Sequence, residues 1–277
     1  MEVAKEMSTW ITVGELAESF APHNNAPAPT AELTGKTLSF HFADGRIANY
    51  QFRTEHRLVW KITAGEGKGG NAEEIYTAFK IRENIYFVDY IAHLERATTV
   101  TLMLDLQSCL LTSVIGQLPA EADARQDLMG RILAGGEITS VKAALLSGSI
   151  SRPFDAHTPR HQITEEMIGR RVQYTYSATE CYEHIYLNAN FYTWQCLRGS
   201  EKGLADTDRC HYYKLGEELY LFVWREKIIP TLGVVVVDYR ALRSSGKIFG
   251  YKGNDCDRLE NFYMGAYARL LNITRHD

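Results

Sequence analysis

No stretch of this sequence stays apolar for the about 18 residues that a membrane-crossing helix needs, so no membrane association is expected. Lysines and arginines do not cluster, and the net charge is −4. A nucleic-acid surface needs grouped basic side chains to neutralise phosphates, so no nucleic-acid partner is expected either. Residues 1–10 lack a charged region followed by an apolar core, which argues against a secretory signal and for a cytoplasmic location. Cysteine is scarce and odd in number: Cys109, Cys181, Cys196, Cys210 and Cys256, with no C-x-x-C pair. Free thiols in a reducing compartment account for that set better than a disulfide framework does.

Motifs for metals, nucleotides and nucleophiles are also missing. Gly65–Gly70 spells G-x-G-x-x-G, but the segment after it alternates like a strand, whereas a dinucleotide site needs a helix there. His157 and His161 are four apart with Pro159 between them, so they cannot share a regular helical face. Cys210 and His211, adjacent on an expected strand, point to opposite sides. No spacing fits a zinc site and no G-x-S-x-G elbow occurs, so neither metal nor cofactor is expected.

What the sequence has in quantity is tyrosine, sixteen of 277 residues, within 45% apolar residues overall. Tyrosine joins a large apolar ring to a hydroxyl and suits strands and ligand cavities. From Gly35 the chain alternates. In residues 37–42, Leu38, Phe40 and Phe42 share one face, and Asp44-Gly45 follows as a hairpin turn. Similar segments at 47–52, 57–62, 74–81, 85–92, 98–105 and 109–115 predict an antiparallel barrel or sandwich. The rhythm returns at 170–177, 181–187, 191–197, 209–215, 219–226, 232–239 and 244–250. A short helix fits Thr12–Phe20 and another the residues before Gly135-Gly136, while 142–146 reads as either helix or strand. Leu259, Phe262, Tyr263, Ala266 and Leu270 recur at helical spacing, which predicts a C-terminal amphipathic helix. The divisions are then a lead-in at 1–34, a first barrel at 35–120, connecting helices and linker at 121–168, and a second barrel with its helix at 169–277.

The two halves superpose in sequence. At an offset of 134, Gly35 falls on Gly169 and no gap is needed until Gly116 falls on Gly250. Trp60/Trp194, Gly69/Gly203 and Tyr86/Tyr220 coincide, and Leu38, Phe40 and Phe42 lie over Val172, Tyr174 and Tyr176. Strands that keep their apolar parity predict one fold used twice, because a one-residue slip turns a strand inside out.

This two-copy layout, with GKTLSFHFADG at 35–45 and FVDY at 87–90, resembles the family labelled molybdenum cofactor biosynthesis protein F (MoaF). The resemblance implies two tandem calycin (lipocalin-like) β-barrels, an all-β fold with a few short helices. The second copy, VQYTYSATECYEHIYLNANFYTWQCLRG at 172–199 with ELYLFVWRE at 218–226, is also similar to the phenolic acid decarboxylases, single calycin barrels that need no cofactor. That likeness implies catalytic roles for Tyr174, Tyr176 and Glu226. The arginine of that pattern does not carry over: Leu204 stands at its place, with Arg198, Lys202 and Arg209 nearby. In the first copy the same positions are Phe40, Phe42 and Ala92, which makes that barrel a chemically silent scaffold or a homodimer surface.

The residues themselves allow that chemistry. Two tyrosines two apart face one side of a strand, and an inward Glu226 facing apolar walls would have its pKa raised into the range of a general acid or base. Tyr182, Tyr186, Arg209, Tyr220 and Trp224 are the expected further contacts for a small hydrophobic or aromatic ligand. The same residues also fit core aromatics and a solvated strand end. The favoured reading is a cofactor-free lyase, decarboxylase, isomerase or cyclase. The alternatives are a non-catalytic carrier or accessory protein, such as one for a pterin-like molecule of molybdopterin metabolism, and a structural module whose barrels are filled by their own side chains.

Overall fold

In the computed structural model, residues 9–21 and 23–275 are described. The earliest part of the lead-in, the expected absence of a signal at 1–8 and the turn at Pro22 therefore lie outside the described residues. The chain forms two closed eight-stranded antiparallel barrels. The first runs β1 (Thr37–Phe42), β2 (Ile47–Phe52), β3 (Arg57–Ala64), β4 (Asn71–Arg82), β5 (Ile85–Ile91), β6 (Thr98–Asp105), β7 (Leu110–Gln117) and β8 (Lys142–Ile150). The second consists of β10 (Arg170–Thr175), β11 (Cys181–Tyr186), β12 (Phe191–Arg198), β13 (Ala205–Gly216), β14 (Leu219–Arg225), β15 (Thr231–Asp238), β16 (Arg243–Tyr251) and β17 (Leu259–Ile273). Pairing of β12 with β13 closes it, and β9 (Gln162–Ile163) adds to the outer edge of β13. Three short helices complete the chain: α1 (Val13–Phe20), α2 (Glu121–Ala124) and α3 (Leu128–Leu133).

Two expectations give way. Residues 142–150 are the eighth strand of the first barrel, lying between β7 and β1, so they belong to that barrel and not to the connecting segment. The C-terminal helix is the strand β17. Its even-numbered residues, Met264, Ala266 and Ala268, face into the second barrel, while Tyr263 faces the first barrel and packs on Phe79 at 5.1 Å. A strand covered on both sides carries apolar residues at both parities, and that pattern imitates helical spacing.

The repeat holds with one correction. Strands β2 to β5 fall on β11 to β14 at an offset of 134, but the β14–β15 turn is one residue shorter than the β5–β6 turn, and the offset is 133 from there on. Leu102 and Leu104 thus correspond to the inward Val235 and Val237. Cys109 and Leu242, both left-handed turn residues, correspond as well. The matches Val100/Val234 and Gly116/Gly250 are coincidental. The slip falls in a turn, so no strand is inverted.

Each barrel has its own interior, and a third apolar cluster joins them. Phe79, Phe87, Met103 and Val114 of the first barrel meet Leu221, Val223, Val234 and Phe249 of the second. This explains why β5, β6, β14 and β15 are buried on both faces. Burying a large apolar side chain contributes about 1.5–3 kcal/mol. Within this dry contact Asp89 of β5 pairs with Lys247 of β16 at 2.8 Å, both fully buried. Thr101 Oγ1 (2.6 Å) and Asn261 Nδ2 (2.8 Å) also donate to Asp89.

Candidate active site

Helix α1 leads into the site. Thr12 caps it: Oγ1 accepts the Glu15 N–H, and the Glu15 carboxylate accepts the Thr12 N–H in return. Val13, Leu16 and Phe20 form one apolar face. That face plugs the mouth of the second barrel, with the Phe20 ring 4.9 Å from Tyr176 and 6.0 Å from Tyr182. Behind the plug lies a cavity of about 30 Å³, room for about two waters. Its walls are Tyr176, Tyr182, Tyr192, Trp194 and Trp224, with Glu201 and Glu226 as the carboxyl groups and His184 at depth.

Of the three residues expected to be catalytic, the structure brings two together. Tyr176 and Glu226 line the cavity. Tyr174 lies further down the barrel, its hydroxyl 2.7 Å from that of Tyr186, and neither touches the cavity. Successive inward residues of one strand sit about two residue rises apart in depth, which separates Tyr174 from Tyr176. Among the further contacts, Tyr182 and Trp224 line the cavity. Tyr220 points inward but donates to Glu166 (2.6 Å). Arg209 is on the outer wall, stacked on Phe191 at 5.1 Å, because its parity is opposite to that of Cys210 and Tyr212.

Parity reasoning does not reach Glu201, which sits in the loop after β12 and is 8% exposed. Tyr182 donates to it at 3.0 Å. Burial raises its pKa to about 7, against the lowering effect of the tyrosine hydroxyl. Glu226 is half-buried, and its carboxylate accepts the Trp224 Nε1–H at 2.9 Å. Burial first, then the negative neighbours Asp208 and Glu201, hold its carboxyl well above the usual carboxylate range. Asp208 accepts the Trp194 Nε1–H (3.1 Å) and the Lys227 N–H (3.1 Å), and burial lifts it to about 6. A β13 longer than its expected 209–215 is what brings Asp208 inside. His184 is pressed down to about 3 by burial and is neutral, and its Nδ1 has no hydrogen-bond partner. No arginine or lysine among the described residues lines this cavity. Among the described residues no group of three or more His, Cys, Asp or Glu is arranged to hold a metal, and all five cysteines are free.

The site therefore presents Glu226, whose carboxyl is shifted towards its protonated form, and Glu201, a carboxyl poised to lose its proton near neutral pH. They sit in one aromatic box, and Tyr182 is hydrogen-bonded to the second.

The chain matches the family model described as the MoaF N-terminal domain over residues 8–120 and that described as the MoaF C-terminal domain over 161–274. Protein MoaF of Klebsiella aerogenes is 42% identical over 269 residues, covering 97% of this chain and 98% of the relative. A solved structure described as a putative beta-lactamase from Burkholderia vietnamiensis is similar over 44% of this chain and 97% of its own, at 17% identity and a TM-score of 0.33, too low to bear on fold or function. Two family models in tandem and a full-length relative coincide with two barrels in tandem, and the chain belongs to the MoaF family.

Proposed function

We propose that the second barrel is the working site of a cofactor-independent acid–base enzyme acting on a small aromatic or unsaturated substrate. The observation that carries this reading is Glu226, held by Trp224 in an aromatic box beside Glu201, a second carboxyl whose pKa burial raises to about 7. Glu226 gives its proton to one substrate atom, and ionised Glu201 takes a proton from another. The pair then returns to its starting state through Tyr182 and water, with no net change in protons. Among the described residues the lining has two acidic groups and no lysine or arginine, so a substrate carboxylate meets no counter-ion from them. That favours proton-shifting isomerisation or cyclisation over decarboxylation and sets the site apart from the phenolic acid decarboxylases. The plug formed by Leu16 and Phe20 has to yield for a ring to enter, because about 30 Å³ is too small for one.

The test is a panel of neutral enones and aryl ketones incubated with the protein in D₂O and followed by proton NMR. An acid–base enzyme exchanges or rearranges at least one of them, and Glu226→Gln slows this by about 10²–10⁴ while binding survives. Binding without exchange in any member identifies a carrier, the role that a pterin-linked accessory protein would have.

A further inference from the structure

The first barrel, chemically silent by its sequence, holds the larger cavity, about 100 Å³ against about 30 Å³ in the second. The two cavities occupy the same place in the two copies. Phe42, Tyr50, Trp60 and Tyr90 stand at the positions of Tyr176, His184, Trp194 and Trp224. The anchoring of the indole is shared too. Trp60 Nε1–H donates to buried Glu74 (3.4 Å), as Trp194 donates to Asp208.

Three exchanges change what the first cavity can accept. Ala48 replaces Tyr182 and leaves space where the ring would be. Ala92 replaces Glu226, and Gly67 replaces Glu201, so both carboxyl groups are gone. At the mouth Arg46 occupies the position of Glu180, a reversal of charge. The Arg46 guanidinium lies over Phe42 at 5.5 Å and bonds Asp44 through Nε alone (2.7 Å), so both terminal nitrogens lack a hydrogen-bond partner among the described residues. Inside, the Tyr50 and Tyr90 hydroxyls are 3.0 Å apart. Of their two protons, one is spent between them and one is left to donate. No residue of α1 reaches this cavity.

We propose that the first barrel is a second, independent binding site, for a small aromatic acid. The ring lies between Tyr50, Trp60 and Tyr90, an oxygen on it accepts the spare tyrosine proton, and the carboxylate meets the free edge of Arg46. Planar guanidinium and carboxylate pair through two parallel hydrogen bonds, and an aromatic-walled cavity with few, well-placed polar groups is the usual form of such a site. An apolar cavity of about 150 Å³ holds a benzene ring; at about 100 Å³ this one encloses part of the ring, and the rest extends with the acid group to the mouth. Glu95 also lines the mouth and opposes an anion, but it is exposed and solvent screens it. The two barrels thus share a pocket and differ in its charge.

The probe is 4-hydroxybenzoate, compared by calorimetry with 4-hydroxybenzamide and 4-hydroxybenzylamine. The acid is expected to bind more tightly than the amide and the amine least. Arg46→Ala should weaken the acid by about tenfold or more and leave the amide nearly unchanged. Glu95→Gln should tighten the acid. Ala48→Tyr, which fills the cavity as Tyr182 fills the other, should remove binding of both acid and amide, with Ala92→Leu as a second filling variant if Ala48→Tyr does not fold. Trp60 is the first barrel's sole tryptophan, so Trp60→Phe should abolish fluorescence quenching by the acid. Equal affinity for acid and amine, an Arg46→Ala protein that binds the acid as before, heat that survives in a folded cavity-filling variant, quenching that persists without Trp60, or no binding at millimolar acid would each overturn the assignment. None of these readouts depends on turnover in the second barrel.

Discussion

At the scale of single residues, the site is governed by what burial does to carboxyl groups. Glu201 ordinarily ionises near 4.5 and in the fold near 7, so the folded chain keeps a proton there that the unfolded chain has lost. Stability that is full below pH 4.5 therefore falls as pH rises towards 7, by roughly 3 kcal/mol from this one group. Denaturant titrations of the Glu201→Gln protein should show that slope flattened between these two pH values. If Glu201 is the base, turnover should also rise with pH through about 7 and lose that dependence in the same variant. Glu226 was legible in the sequence because strand parity placed it with Tyr220, Phe222 and Trp224. Glu201 was not, because a loop has no parity. Its burial depends on Tyr182 reaching it from another strand.

At the scale of elements, α1 decides access. Its seat on the second barrel is close: a Cβ on Gly14 would stand 2.3 Å from the carbonyl oxygen of Lys252, just after β16. Gly14→Ala should therefore lift the helix off the barrel although alanine is the better helix former. Faster ligand entry into the second barrel and earlier proteolysis within residues 9–21 are the expected readings. An unchanged entry rate would mean that the plug does not control access. The helix itself was readable from Thr12, Glu15 and the spacing of Val13, Leu16 and Phe20. Its place at the barrel mouth was not, since the contacts of Phe20 with Tyr176 and Phe262 join distant parts of the chain.

At the scale of the whole molecule, the barrels are joined by a dry face with one ion pair inside. Removing one member leaves an uncompensated charge, so Asp89→Ala should cost about 3–5 kcal/mol in chemical denaturation. The double variant Asp89→Leu, Lys247→Leu should recover part of that, because no charge is then left unpaired, while Thr99, Thr101 and Asn261 still lose their partners. An additive double variant would show that the two charges do not act together. The same face explains the misread C-terminus: β17 serves the second barrel with one side and the first barrel with the other.

The sequence by itself determined the strands, their parity, the duplication and the membership of Tyr176, Tyr182, Trp224 and Glu226 in one interior, because alternation is local and a barrel interior is the sum of its inward positions. Tertiary structure alone decided three things. It made residues 142–150 and 259–273 the closing strands, since closure is a pairing between distant segments. It separated Tyr174 from Tyr176 in depth. It also left the first barrel the more open of the two, since cavity volume follows from which side chains, Ala48 or Tyr182, converge on the same space from different strands.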